Sequence, residues 1–131
     1  MSIAQEYGIR PDHIGLHTYD LDRSAKWFER LFGFKLTLPI PLPPGHFPRA
    51  SFYVLGDFYF EIYEVQNARP FNMTDFDKRI GMKFATLAVT DYKGWVDMAK
   101  ADSEVEFIEE TEGRCYIKDL NGNIYSVMDD P

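Results

Sequence analysis

The sequence predicts an α+β protein built from two tandem β-α-β-β-β modules. Three observations support this class: a strand-helix-glycine pattern over residues 13–36, a second strand followed by a capped helix over residues 84–100, and hairpin signals after each helix. A repeat of this length indicates two units that each expose an apolar face. We place module one at about 13–66, a linker at 67–81 and module two at about 82–130, within one domain spanning 1–131.

The first module begins with a predicted strand, His13–Tyr19. Ile14 and Leu16 alternate with His13 and His17. Because side chains of a strand alternate between two faces, both histidines are expected on the same face, opposite the apolar one.

A helix is predicted over Leu21–Phe32. Either Asp20 or Asp22 can cap it, since a short carboxylate accepts a hydrogen bond from an unpaired backbone N–H. Gly33 stands where a helix ends in the left-handed conformation. The apolar residues recur at three- and four-residue steps and form one stripe, which comprises Leu21, Ala25, Phe28, Leu31 and Phe32.

The rest of the first module reads as a strand, a loop and a hairpin. Phe34–Leu38 is predicted as the second strand. Residues 39–48 contain five prolines, and this stretch, which includes His46, is expected to be an extended loop. Ala50–Leu55 and Phe58–Val65 are expected to pair around Gly56-Asp57.

The second module repeats these signals. Phe84–Asp91 alternates like the first strand, and Asp91 can cap the helix that follows. A strand is predicted at Val105–Glu109. Arg114–Lys118 and Ile124–Met128 flank an Asn-Gly turn, which favours a hairpin because both residues tolerate positive φ.

Composition restricts the partners and the compartment. Fourteen Lys and Arg against 21 Asp and Glu give a net charge of −7, which disfavours nucleic acid as a partner. No apolar run approaches the roughly 20 residues that span a bilayer, and no signal peptide is visible. We therefore expect no membrane partner and a cytoplasmic location, which the single cysteine, Cys115, also fits.

Two motifs resemble the vicinal oxygen chelate superfamily, which includes glyoxalase I, bleomycin-resistance proteins and extradiol dioxygenases. The opening His13-Ile-Gly-Leu, followed by Asp20-Leu-Asp-Arg-Ser and Leu31-Phe-Gly-Phe, is similar to that family's first strand and helix. Asp119-Leu-Asn-Gly-Asn-Ile-Tyr resembles its closing turn, although Leu120 and Asn121 depart from the pattern. The resemblance implies the glyoxalase/bleomycin resistance/dioxygenase fold, in which the modules form a cup lined by the first and last strands of each.

The resemblance also implies the metal ligands. His13 and Glu61 match the ligand positions of the first module, whereas the second module has Phe84 and Ser126 where the family has histidine and glutamate. A phenyl ring donates no lone pair, and stable sites for first-row metals use three or more protein ligands. We therefore expect a weak or vestigial metal site at His13 and Glu61. No tightly bound cofactor is expected, and at most a weakly held divalent metal.

The residues expected to line a ligand site share one face of their strands. Alternation places Tyr59, Glu61 and Tyr63 with the histidines, and it turns Phe58, Phe60 and Ile62 toward the helix. The alternative is that both tyrosines belong to an ordinary aromatic core and that His17 is a hydrogen-bonding wall residue. The full set of expected ligand-binding residues is His13, His17, Tyr59, Glu61, Tyr63, Phe84 and Ser126.

Two functions remain open on the sequence alone. The first is a small-molecule binding protein of the glyoxalase/bleomycin-resistance type with a degraded metal site, taking an apolar or aromatic ligand in the cup. The second is a metal-dependent glyoxalase-like lyase or isomerase that uses His13 and Glu61 with a displaced third ligand, such as His17 or His46. No catalytic residue is assigned. A homodimer is expected in either case, because small members of the resembled family usually pair.

Overall fold

A computed structural model of the chain describes residues 7–39, 49–67, 82 and 84–130. Backbone contacts divide the chain into two units, Met1–Gln66 and Asn67–Pro131. The proline-rich loop with His46 and most of the predicted linker lie outside the described residues.

The first unit contains one four-stranded sheet and one helix. The strands are β1 (Ile14–Thr18), β2 (Lys35–Pro39), β3 (Arg49–Leu55) and β4 (Phe58–Glu64), and the helix is α1 (Leu21–Phe32). The strand order is β1-β4-β3-β2, with β1 parallel to β4 and the other pairs antiparallel. This arrangement confirms the predicted β-α-β-β-β module, and β2 begins and ends one residue later than predicted.

Local chemistry fixes both ends of α1. Asp20 is the N-cap, and its carboxylate accepts a hydrogen bond of 3.1 Å from the backbone N–H of Arg23. Asp22, the other predicted cap, lies instead in the first helical turn. Gly33 ends the helix with φ 75°, and its N–H donates to the carbonyl of Glu29 over 2.9 Å. A residue with a side chain adopts that conformation only at a cost, so glycine suits this position.

The core of the first unit lies between α1 and one face of the sheet. The Phe28 ring lies 5.3 Å from that of Phe60, and the Tyr53 hydroxyl donates a 2.8 Å hydrogen bond to the carbonyl of Leu21. Trp27 is 1% exposed, although the predicted apolar stripe did not include it. Several side chains on this face are therefore aromatic and fill the space between helix and sheet.

The predicted stripe needs one further correction. Ala25 and Phe32 are only half-buried, whereas Ser24 is buried. The Ser24 hydroxyl lies 2.6 Å from that of Thr18 on β1, so this polar side chain is accommodated by a hydrogen bond.

The second unit repeats the topology of the first. It contains β5 (Ala85–Val89), α2 (Tyr92–Lys100), β6 (Glu106–Thr111), β7 (Arg114–Lys118) and β8 (Ile124–Asp129). The strand order is β5-β8-β7-β6, and β5 is parallel to β8. The predicted α+β class with two tandem β-α-β-β-β modules is therefore confirmed, while β6 extends to Thr111 rather than ending at Glu109.

One face of this second sheet carries the buried apolar residues. Cys115 and Ile117 on β7, together with Tyr125 and Val127 on β8, are almost fully buried. Alternation therefore places Arg114, Tyr116, Ser126 and Met128 on the opposite face.

A carboxylate organises the turn between β7 and β8. Asp119 accepts hydrogen bonds from the backbone N–H groups of Asn121 and Asn123, at 2.8 and 3.0 Å, and from the Tyr125 hydroxyl at 2.7 Å. Burial raises the pKa of Asp119, and these hydrogen bonds oppose that rise. The Asn-Gly sequence thus marks a turn whose conformation also depends on the hydrogen bonds that the Asp119 carboxylate accepts.

No helix within the described ranges has the length and apolar character needed to cross a membrane.

Candidate functional site

His13 and Glu61 are brought together by the parallel pairing of β1 and β4. His13 immediately precedes β1, and the next residue but one, Gly15, lies opposite Glu61 on β4. The imidazole Nε2 of His13 is 2.5 Å from Oε2 of Glu61. The two residues that the resemblance assigns to the first module are therefore in direct contact.

Asp12 occupies the other side of the same imidazole. Its Oδ2 lies 2.7 Å from Nδ1 of His13 and accepts a 2.8 Å hydrogen bond from the Tyr59 hydroxyl. Arg10 donates to the second oxygen, Oδ1, over 2.9 Å. Sequence reasoning missed Asp12, whose only signal was its place beside His13.

The charges of this cluster stabilise one another. A carboxylate only accepts hydrogen bonds, so both ring nitrogens of His13 act as donors when they face Asp12 and Glu61. The hydrogen bond to Asp12 raises the pKa of His13, and Glu61 adds to the rise while burial opposes it. The same bond to His13, followed by that from Tyr59, lowers the pKa of Asp12 to about 2.

Two aromatic rings surround the imidazole. The Tyr59 ring stacks on it at a centroid distance of 5.2 Å and an angle of 19°. Phe52 meets the imidazole edge-on at 5.5 Å and Tyr59 edge-on at 5.2 Å. We call His13, Phe52 and Tyr59 the ring cluster.

The strand alternation predicted for β4 is observed. Tyr59 and Glu61 contact His13, whereas Phe60 and Ile62 are buried on the helix-facing side. His17 and Tyr63 are opposite each other in the β1–β4 register, and their rings are 6.2 Å apart. The predicted residues of the first unit therefore form two groups. Tyr59 and Glu61 contact His13, and Tyr63 contacts His17.

Tyr92 of α2 is hydrogen-bonded to Cys115, so the helix packs on the face of Cys115 and Val127. The predicted residues of the second unit lie on the other, helix-free face of the sheet. Ser126 on β8 is opposite Thr86 on one side and Tyr116 on the other. It is 0% exposed, and its hydroxyl has no hydrogen-bond partner in the described part of the chain. The Phe84 ring contacts that of Tyr116 at 5.2 Å.

A tightly held transition metal needs three or more protein ligands. Across residues 7–39, 49–67, 82 and 84–130, no three or more His, Cys, Asp or Glu side chains are grouped so that they could hold one ion. His13 and Glu61 provide two donors, and both nitrogens of the imidazole already face carboxylates. The described residues therefore do not fit a tightly bound transition metal.

Solved structures with the same fold support the topology. The chain is similar to the fosfomycin resistance protein FosX from Mesorhizobium loti, with a TM-score of 0.66 and 14% identity over 91% of this chain and 90% of that one. It is also similar to the trypanothione-dependent glyoxalase I from Leishmania major, with a TM-score of 0.71 and 19% identity over 92% and 86% of the two chains.

A third similar structure is a glyoxylase/bleomycin resistance protein/dioxygenase domain from Frankia sp. EAN1pec, with a TM-score of 0.72 and 17% identity over 94% of this chain and 98% of that one. At these identities the likeness establishes the fold alone.

Comparison with curated proteins found none that matches. The family model described as Glyoxalase/Bleomycin resistance protein/Dioxygenase superfamily matches residues 10–127 of the 131. This match covers both modules, from the segment before β1 to Val127 within β8. The chain therefore belongs to the glyoxalase/bleomycin resistance protein/dioxygenase superfamily.

Proposed function

We propose that the chain is a small-molecule binding protein of the glyoxalase/bleomycin-resistance type that takes an apolar or aromatic ligand and holds no metal tightly. One observation carries the proposal: His13 is hydrogen-bonded through both ring nitrogens, to Asp12 and to Glu61. An imidazole engaged in this way has no lone pair directed at a metal. The same contacts hold the ring rigidly beside Tyr59.

The ring cluster supplies the surface for such a ligand. Phe52 and Tyr59 are half-buried, so part of each ring is accessible. Sites for small molecules combine aromatic area with a few polar groups that set orientation. Here the polar groups are Glu61 and the Tyr59 hydroxyl, both fixed by hydrogen bonds or ion pairs.

Metal analysis tests the first half of the proposal. We expect the purified protein to carry clearly less than one transition metal per chain by mass spectrometry. Isothermal titration with Zn²⁺, Ni²⁺ and Mn²⁺ should give weak, readily reversible binding. Stoichiometric tight metal in the unmodified protein would overturn the binding-protein proposal.

A ring substitution tests the second half. Phe52→Leu removes one ring of the cluster without touching the hydrogen bonds of His13, and aromatic pairs contribute about 0.5–1.5 kcal/mol. We expect the variant to bind the neutral probe benzamide several-fold more weakly than the unmodified protein. Tyr19→Leu is the matched control, since it removes a ring of the first unit that is 40% exposed and lies outside the cluster. Equal losses in both variants would count against the ring cluster as the binding surface.

The alternative is a metal-dependent lyase or isomerase, and it is favoured by the presence of His13 and Glu61 at the two ligand positions of the first module. One solved FosX, from Listeria monocytogenes, is a complex with Mn(II) and sulfate, so fosfomycin is a reasonable test substrate. Under the enzyme alternative, fosfomycin with Mn²⁺ would be consumed, as measured by phosphorus NMR, and Glu61→Gln would abolish the reaction. Under the binding proposal, neither form turns it over.

The proposal includes a homodimer, because a two-fold interface is the commonest way for a small chain to cover exposed apolar side chains. Leu36 on β2 is 53% exposed and Leu55 on β3 is 40% exposed. Sedimentation should show a species of twice 15.3 kDa. A monomer alone at micromolar concentration would contradict this assembly.

A further inference from the structure

Arg114 of the second unit has no carboxylate partner among the described residues. Arg114 on β7 is half-buried, and its Nε is buried without a hydrogen-bond partner among the described residues. Within the described part of the chain, the one partner of its Nη2 is the thioether sulfur of Met128, at 3.9 Å. Thioether sulfur is a weak acceptor, so this edge of the guanidinium, formed by Nε and Nη2, lacks an oxygen.

An unpaired hydroxyl lies on the neighbouring strand and on the same face. Arg114 is opposite Met128, and Tyr116 is opposite Ser126, so Arg114 and Ser126 are diagonal neighbours across the β7–β8 pair. Such positions are roughly 7–8 Å apart and within reach of a long side chain. Ser126 is fully buried and its Oγ is without a partner in the described part of the chain.

Leaving both groups unsatisfied is unfavourable. A buried donor without a partner costs about 1–3 kcal/mol, and more when it is charged. The chain has 21 acidic residues against 14 basic ones, yet none of the described carboxylates pairs with Arg114. Two unsatisfied donors on the same face of adjacent strands are groups that a bound oxyanion could satisfy.

We infer that Arg114 and Ser126 form a binding site for the carboxylate group of a small aromatic acid, on the helix-free face of the second sheet. The Nε–Nη2 edge of a guanidinium matches the two oxygens of a planar carboxylate. The Ser126 hydroxyl is placed to donate a third hydrogen bond. A dianionic phosphate would bring more charge and more acceptors than one arginine and one hydroxyl can satisfy.

The aromatic part of the ligand follows from the rings that cover this face. Phe84 precedes β5 and Tyr116 lies on β7, and their contact at 5.2 Å spans β8, the strand between them that carries Ser126. A ligand ring that enters beside this pair can stack against either aromatic side chain. The site therefore combines the charged guanidinium of Arg114 with the aromatic rings of Phe84 and Tyr116.

The inference refines the proposed small-molecule binding function, on which it rests, by naming a chemical group of the ligand. Its test uses three probes in isothermal titration: benzoate, its neutral analogue benzamide, and acetate. We expect benzoate to bind best, because only benzoate offers both the carboxylate and the ring. Arg114→Gln should weaken benzoate about tenfold or more and leave benzamide unchanged.

Lys93→Gln is the matched control, since it removes the same charge from an exposed position on α2 of the same unit. It should leave benzoate affinity within about twofold, as expected for a surface charge. Ser126→Ala should also weaken benzoate, and circular dichroism on every variant checks the fold.

The outcomes separate this inference from the proposed function. Unchanged benzoate affinity in Arg114→Gln, or equal effects of the Arg114 and Lys93 changes, overturns the carboxylate site while the small-molecule function stands. No measurable benzoate binding also overturns the site. Arg114-dependent benzoate binding in a protein that carries stoichiometric metal supports the site and overturns the metal-free function.

Discussion

Replacement of Ser126 by alanine is expected to stabilise the free protein. The substitution deletes a single hydroxyl from a fully buried position where it makes no hydrogen bond within the described residues. The alanine methyl group occupies the space that the serine Cβ already fills, so the packing changes little. What is removed is mainly the desolvation penalty of an unsatisfied polar group.

The size of the effect follows from that penalty. An unsatisfied buried hydroxyl costs about 1–3 kcal/mol, and we take the lower end, about 1 kcal/mol, as the gain in free energy of unfolding. For 131 residues the entropy of unfolding near 60 °C is about 0.28 kcal/mol/K. The melting temperature of Ser126→Ala should therefore rise by about 4 °C.

Thermal unfolding followed by circular dichroism measures this shift, and Ser24→Ala is the matched control. Ser24 is also buried, but its hydroxyl lies 2.6 Å from that of Thr18. The same chemical change should therefore lower the melting temperature there, by a comparable amount. A lower melting temperature for Ser126→Ala, in protein free of small acids, would show that this hydroxyl has a partner and would refute the reasoning.

Three further predictions concern the first unit. The hydrogen bond from Arg49 lowers the pKa of Glu64 below its usual 4.5. This carboxylate therefore stabilises the fold above that pH, and its contribution disappears as the pH falls through the lowered pKa. In Glu64→Gln the melting temperature should fall less steeply as the pH is lowered, and an unchanged dependence would contradict the prediction. Trp27→Ala should lower the free energy of unfolding by about 3–5 kcal/mol in urea titrations, because it leaves a cavity under α1. A loss below about 1 kcal/mol would show that the surrounding side chains close around the smaller residue. Tyr53→Phe removes the 2.8 Å hydrogen bond to the Leu21 carbonyl and should cost about 1–2 kcal/mol in the same assay, whereas a neutral effect would mean that water replaces the hydroxyl.

The features that could be predicted from the sequence are those determined by neighbours along the chain. Asp20 and Gly33 were recognisable as helix ends, because a cap depends on residues within one turn. The alternation on β4 correctly separated Glu61 from Phe60, because the period of a strand is fixed.

The features that could not be predicted depend on distant contacts. Asp12 accepts a hydrogen bond from the Tyr59 hydroxyl, 47 residues away in the chain. It also contacts His13, whose other ring nitrogen faces Glu61. Trp27 and Ser24 fall outside a simple apolar stripe, and only the packing of α1 on the sheet shows that both are buried. The unsatisfied state of Arg114 is likewise a property of what surrounds it, which no local pattern contains.

The strand order also has a kinetic consequence. In the first unit β3 and β4 are joined by two residues, Gly56 and Asp57, whereas β1 reaches β4 only across the intervening helix and two strands. Local hairpins form within microseconds, while pairings distant in sequence must first close a long loop. We expect β1 to dock last, so that His13 and Glu61 become neighbours only at the end of folding. On a ribosome this cannot happen before residue 64, the last of β4, has emerged from the exit tunnel.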